Sequence, residues 1–100
     1  MAVALAFEPI ELDKDTFQLY QNVPNPFRGS TTIGFHLPAA GPATLSLRDL
    51  SGRVIREYRA EFEAGYHEVQ LTDLPQQSGV WYYTLETATH TATRKMILLD

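Results

Sequence analysis

Residues 21–37 read QNVPNPFRGSTTIGFHL. Pro24 and Pro26 stand one residue apart, just ahead of a run that alternates polar and apolar residues. In that run Thr31, Ile33, Phe35 and Leu37 share one parity and Thr32, Gly34 and His36 the other, and Pro38 closes it. This is the pattern of a half-buried β-strand. Each proline fixes its own φ, lacks a backbone N–H and disfavours the helical region for the residue before it, here Val23 and Asn25. Asn22 to Phe27 is therefore expected to be extended, and a segment so poor in donors cannot take part in a central ladder.

The same grammar continues on both sides. Phe17 to Tyr20 reads as a brief first strand. Ala43, Leu45 and Leu47 alternate with Thr44, Ser46 and Arg48. Asp49-Leu50-Ser51-Gly52 is a tight hairpin turn, from which Arg53 to Arg59 returns as a strand. Gly65 marks the next turn, and Val69 and Leu71 oppose Glu68 and Gln70. After a loop over Leu74 to Gly79, Val80 to Thr87 places Trp81, Tyr83 and Leu85 on one face and Tyr82, Thr84 and Glu86 on the other. Thr91 to Leu99 is the last strand. No window holds a helical period for more than a turn. Short strands at regular spacing with turn signals between them predict an all-β domain, an antiparallel β-sandwich of about seven strands, with a barrel of similar strand count as the alternative. Leu74 and Trp81, spaced across a Pro and a Gly, are similar to the corner that opens a late strand in immunoglobulin-like sandwiches, although the tyrosine of that corner is not in its usual place.

Composition sets the bounds. One hundred residues suit one domain, 44% are hydrophobic and eleven are aromatic, enough for a real core. Eight Lys and Arg are scattered among twelve acids, for a net charge of −4, so no basic patch exists to neutralise phosphates and nucleic acid is not an expected partner. There is no cysteine for a disulfide or thiolate site, and no apolar run long enough to span a membrane. Met1 to Phe7 is apolar but lacks the basic start of a cleaved leader. Residues 1–16, charged and weakly periodic, are read as a linker, and 17–100 as the sandwich.

A search for chemistry finds little. His36, His67 and His90 fall one per strand or turn, at positions expected to be solvated, with no pair at a metal-ligand spacing. Asp13 and Asp15 lack the rest of a calcium loop. The Ser-Gly pairs do not form a nucleophile elbow, the glycines are not followed by a helix that would cradle phosphate, and Glu61 and Glu63 share one strand face without a cleft. Trp81-Tyr82-Tyr83 could offer a sugar platform, but alternation buries Trp81 and Tyr83 and leaves Tyr82 outside. The expectation is a domain without catalytic residues, metal or cofactor.

With these residues placed, four blocks in order, LYQNVPNPFRGSTTIGFHLPAAGPATLSLRDLSGRVIR, EAGYHEVQL, SGVWYYTLET and ATRKMILL, resemble the C-terminal sorting domain (type A) of type IX secretion. A related immunoglobulin-like domain occurs in flagellar hook-capping proteins. The resemblance covers residues 17–99 and implies an immunoglobulin-like sandwich. Its sorting-signal motif falls at Pro24, Asn25, Pro26 and Phe27, at Gly65 and Gly79, and at Arg94, Lys95 and Met96. Its hairpin falls at Asp49 to Arg53. Val23 stands where the family usually has Tyr, Arg28-Gly29 where Asn-Pro is common, and Asp100 where Lys is frequent.

The resemblance further implies a passenger's address label. An N-terminal cargo domain on the same chain, often a hydrolase, is carried across the outer membrane by the translocon. A sortase-like peptidase then removes the label and attaches the cargo to the cell surface. The domain is expected to act as a monomer, in transit through the periplasm to the surface or beyond. A carbohydrate-binding sandwich and a hook-capping-type assembly domain are the competing classes. Limited trypsin digestion is expected to cut at Lys14 before any site in 17–99; early cleavage at Arg56 or Arg59 would contradict that boundary.

Overall fold

Strand β2 (Thr31–Leu37) carries the alternation into space: Thr31, Ile33, Phe35 and Leu37 are buried, whereas Thr32 and His36 are only half-buried. The computed structural model describes residues 16–74 and 78–99, so the linker expectation for 1–16 lies outside the described residues except at Thr16. The other strands are β1 (Gln18–Leu19), β3 (Gly41–Arg48), β4 (Val54–Phe62), β5 (Gly65–Leu71), β6 (Gly79–Glu86) and β7 (Thr91–Leu98). All strand pairs are antiparallel. They form a three-stranded sheet, β1-β2-β5, and a four-stranded sheet, β4-β3-β6-β7.

This is the all-β sandwich the alternation predicted, in two sheets and not a closed barrel. Immunoglobulin constant domains put the fourth strand in one sheet with the first two and the fifth, while variable domains add strands to the sheet of the third. Here β4 lies beside β3, so the chain crosses between the sheets after β2, after β4 and again after β5. Two boundaries move. Strand β4 runs on to Phe62, past the expected end at Arg59, because Gly41 to Thr44 continue to pair with it. Gly65 is the first residue of β5 and pairs with Leu37, so the turn itself is Glu63-Ala64.

The core lies between the sheets. Ile33, Phe35 and Leu37 from one face meet Ala43, Leu45, Leu47, Trp81, Tyr83, Leu85, Met96 and Leu98 from the other. Phe35 meets Phe62 edge-on, with ring centroids 5.2 Å apart, a favoured aromatic geometry. Between β4 and β5 the sheets part into an apolar groove of about 450 Å3 lined by Tyr58, Phe62 and Val69 among others. The β3–β4 hairpin is built on Asp49. Its Oδ1 accepts from Ser51 N (2.9 Å), Ser51 Oγ (2.6 Å) and Arg53 N (3.0 Å). These bonds, led by the Ser51 hydroxyl, hold its carboxyl below the ordinary value. This is the side-chain turn that Asp makes readily.

Candidate functional site

Strand β7 is the edge of its sheet, and an uncovered edge is a row of unpaired N–H and C=O groups that invites another chain. The segment leaving β1 runs along that edge. Gln21 Nε2 donates to Lys95 O (2.7 Å) and Ile97 N donates to Asn25 Oδ1 (2.9 Å). Phe27 N donates to Ile97 O (3.0 Å), and Leu99 N donates to Phe27 O (2.8 Å). Across the gap Val23 and Thr32 exchange two backbone bonds of 2.9 Å. One short segment thus ties the three-stranded sheet to the four-stranded one.

The segment is not extended as expected. Residues 24–26 bend, and the Val23–Pro24 and Asn25–Pro26 peptide bonds are both cis. It does stay out of any central ladder, since Val23 and Phe27 make isolated bridges, the first with Thr32 and the second, parallel, with Leu98. Pro24 and Pro26 are exposed, and having no N–H they add no unpaired donor to the covered edge.

A buried polar cluster holds the segment in place. Tyr83 is fully buried on β6; its hydroxyl donates to Tyr20 O (2.8 Å) and accepts from Asn22 N (2.9 Å). Burial pushes this phenol above its ordinary pKa of 10.0, against the opposing pull of the Asn22 N–H and the nearby Arg94 charge. Asn22, 1% exposed, spends its amide on Pro24 O (3.0 Å) and Thr31 Oγ1 (3.1 Å) and accepts from Gln21 Nε2 (2.7 Å). The Thr31 hydroxyl donates to Pro24 O (2.8 Å). Each buried group in the cluster has a partner, as a low-dielectric site demands.

The structure brings most of the predicted motif to this edge. Pro24, Asn25 and Pro26 lie on its surface, while Phe27 is 2% exposed and reaches into the core. Gly79 pairs with Leu98, the residue that Phe27 bridges. Met96 is buried in the core. Arg94 and Lys95 separate. Arg94 shares the inward parity of Met96, and its Nε donates to Leu19 O (2.6 Å), fastening β7 to β1; Lys95 faces solvent. Gly65, paired with Leu37, sits apart, at the far end of β2 from Thr31. Gly65 and Gly79 have φ of 117° and 136°, where a side chain is strained, so both are glycine for the backbone's sake.

The secretion system C-terminal sorting domain family matches residues 21–99, which spans the proline segment, the cluster that anchors it and β7 to its end. The chain belongs to this family. No curated protein matches it. The crystal structure of dimeric latent PorU from Porphyromonas gingivalis contains a similar fold, with a TM-score of 0.61 at 14% identity; the likeness covers 84% of this chain and 9% of that one. At that identity the likeness is one of fold.

Elsewhere the sorting domain's candidate groups are occupied in structural roles. A carbonyl can only accept, so His36 Nδ1 donates to Thr16 O (2.9 Å) and His67 Nε2 donates to Glu63 O (2.6 Å). Both rings are half-buried, not solvated as expected; His90 is exposed and stacks on Phe17 at 4.8 Å. Among the described residues no three His, Asp or Glu gather as a metal site. Trp81 and Tyr83 are buried, so the ring platform considered for them does not form. The sequence reading missed Gln21, Asn22, Thr31 and the Tyr83 hydroxyl. The available signal was Tyr83 itself, a tyrosine at an inward position whose hydroxyl must find a partner.

Replacing Tyr83 with Phe leaves Tyr20 O and Asn22 N without that partner. The expected loss is about 1–3 kcal/mol, and for a domain of this size each kcal/mol lowers Tm by roughly 4–8 °C. Because the folded state favours the neutral phenol, its stabilisation is present below the ordinary value of 10.0 and is lost as pH rises through the higher folded value. Thermal melts at pH 7 and pH 11 should therefore show the gap between wild type and Tyr83→Phe narrowing at the higher pH.

Proposed function

We propose that this sorting domain serves as the C-terminal export label of a larger protein, read by the type IX translocon at the edge where the proline segment covers β7. The observation that carries the reading is the family match over residues 21–99. The geometry supports it. Pro24, Asn25 and Pro26 near the start of the domain and Lys95 near its end are far apart in sequence, yet they lie on one surface, since Asn25 bonds Ile97 and Gln21 bonds Lys95. A receptor gripping that surface reads both termini at once and so engages only folded domains. Residues 1–16 act as the linker from an N-terminal cargo, commonly a hydrolase. A sortase-like peptidase cuts the label away as the cargo passes from periplasm to cell surface. The domain itself contributes no catalysis and works as a monomer.

Lys95 is the charge the receptor meets, while Arg94 serves the fold through Leu19. The test is a reporter carrying a signal peptide and these 100 residues at its C-terminus, expressed in a bacterium with a working type IX system. The wild-type fusion should reach the surface. Lys95→Gln should melt as wild type, being an exposed substitution, and should leave most of the reporter in the periplasm. A folded wild-type fusion that stays periplasmic would refute the sorting role. Wild-type export of Lys95→Gln would remove Lys95 from the signal without touching the family assignment.

A further inference from the structure

The outer face of the three-stranded sheet carries a second constellation, which adjoins the proline segment at Gln21 and Val23. Tyr20, Gly34 and Glu68 lie in one row across the three strands: Tyr20 N donates to Gly34 O (2.9 Å), and Gly34 is in register with Glu68. Tyr66, one register step away on β5, lays its ring diagonally over Gly34; a Cβ at that position would collide with the phenol. The Tyr66 hydroxyl donates to Glu68 Oε2 (2.9 Å), which fixes the ring against the sheet. The side chain remains 55% exposed, with one ring face turned to water. Tyr20 meets it at a centroid distance of 5.9 Å and an angle of 57°. Gln21, Val23 and Thr32 complete the rim of a shallow dish of about 370 Å3, within the size range of small-ligand sites.

Covering a strand glycine with an aromatic ring is a structural device in its own right, and one ring is enough for it. The second tyrosine beside it goes beyond that need. The rings also touch each other at 5.9 Å, within the contact range of aromatic pairs. No cation can be caged between rings already in contact, so a ligand must lie on top of them. Among the described lining residues Glu68 is the only charge, which disfavours anions. What remains is a flat apolar ring face bordered by hydroxyl, amide and carboxylate groups.

We propose that this dish binds a neutral saccharide, one sugar ring stacking its C–H face on Tyr66 and its hydroxyls donating to the Glu68 carboxylate and to Oε1 of Gln21, whose NH2 is engaged by Lys95 O and Asn22 Oδ1. This site shares Gln21 and Val23 with the proline segment that the sorting reading uses, but its test substitutes only Tyr66 and Gly34, which lie off the covered edge, so the two readings fail separately.

The experiment is affinity electrophoresis of the 100-residue chain in native gels cast with xylan, hydroxyethylcellulose, laminarin, mannan or glycol chitin. Titration of the hexasaccharide of any retarding polymer then follows. Wild type should be retarded by at least one neutral polymer. Tyr66→Ala removes the stacking ring and should weaken hexasaccharide binding about ten-fold, the equivalent of a lost aromatic contact. Gly34→Ala keeps every polar group but forces the Tyr66 ring off the sheet, in a strand position that tolerates alanine. It should weaken binding similarly while the domain stays folded, so one variant decides even if the other folds poorly. No retardation by any polymer would overturn the proposal, as would retardation that survives in the folded variants. Binding confined to a trimethylammonium probe would overturn it in favour of a cation site.

Discussion

The phenol of Tyr83 is the point on which the domain's closure turns. A β-sandwich of four and three strands has edges that its own ladders cannot satisfy, and β7 would present one of them in full. The chain covers it with a segment that makes only isolated bridges. Such a segment needs an anchor from the core, and the hydroxyl of Tyr83 supplies it by bonding the backbone on both sides of Gln21. Asn22 and Thr31 then fix the bend at Pro24, and Asn25 and Phe27 close on β7. Because the cluster is buried, each bond is strong and each missing partner costly.

Much of this was legible in the residues. Strict alternation at 31–37, 43–48 and 80–86 assigned strands and faces correctly, because the side-chain period of a strand is two and half of each strand is buried here. The partner of β4 was legible, since the hairpin turn at Asp49 to Gly52 returns it beside β3, but its extent to Phe62 was not, because its mixed pattern of Arg56, Glu57, Arg59 and Glu61 carries no alternation. Nor was the bend at 24–26. The rule that a residue before proline is extended is local, and here a buried hydrogen-bond cluster of residues far apart in sequence decides the path. The motif was half legible. Parity alone places Arg94 on the side of Met96 and Lys95 opposite, but that Arg94 is held by Leu19 O depends on β1 lying across from β7.

The two ends of the domain depend on each other. The segment before β2 has no ladder without β7, and β7 has an open edge without that segment. This mutual need gives a physical reason why the family match runs from the proline segment through the last strand and does not stop at the sandwich core. It also separates roles within the motif: Phe27, Met96 and Arg94 serve the closure, Gly65 and Gly79 serve backbone geometry, and Pro24, Asn25, Pro26 and Lys95 remain at the surface.

The most direct test of this closure is amide hydrogen exchange by NMR, comparing wild type with Tyr83→Phe residue by residue. The account predicts that Val23, Phe27, Ile97 and Leu99, whose N–H groups join the proline segment to the two sheets, lose far more protection than the amides of β3 in the same molecule. A uniform loss across all strands, or unchanged protection at Ile97 and Leu99, would contradict it.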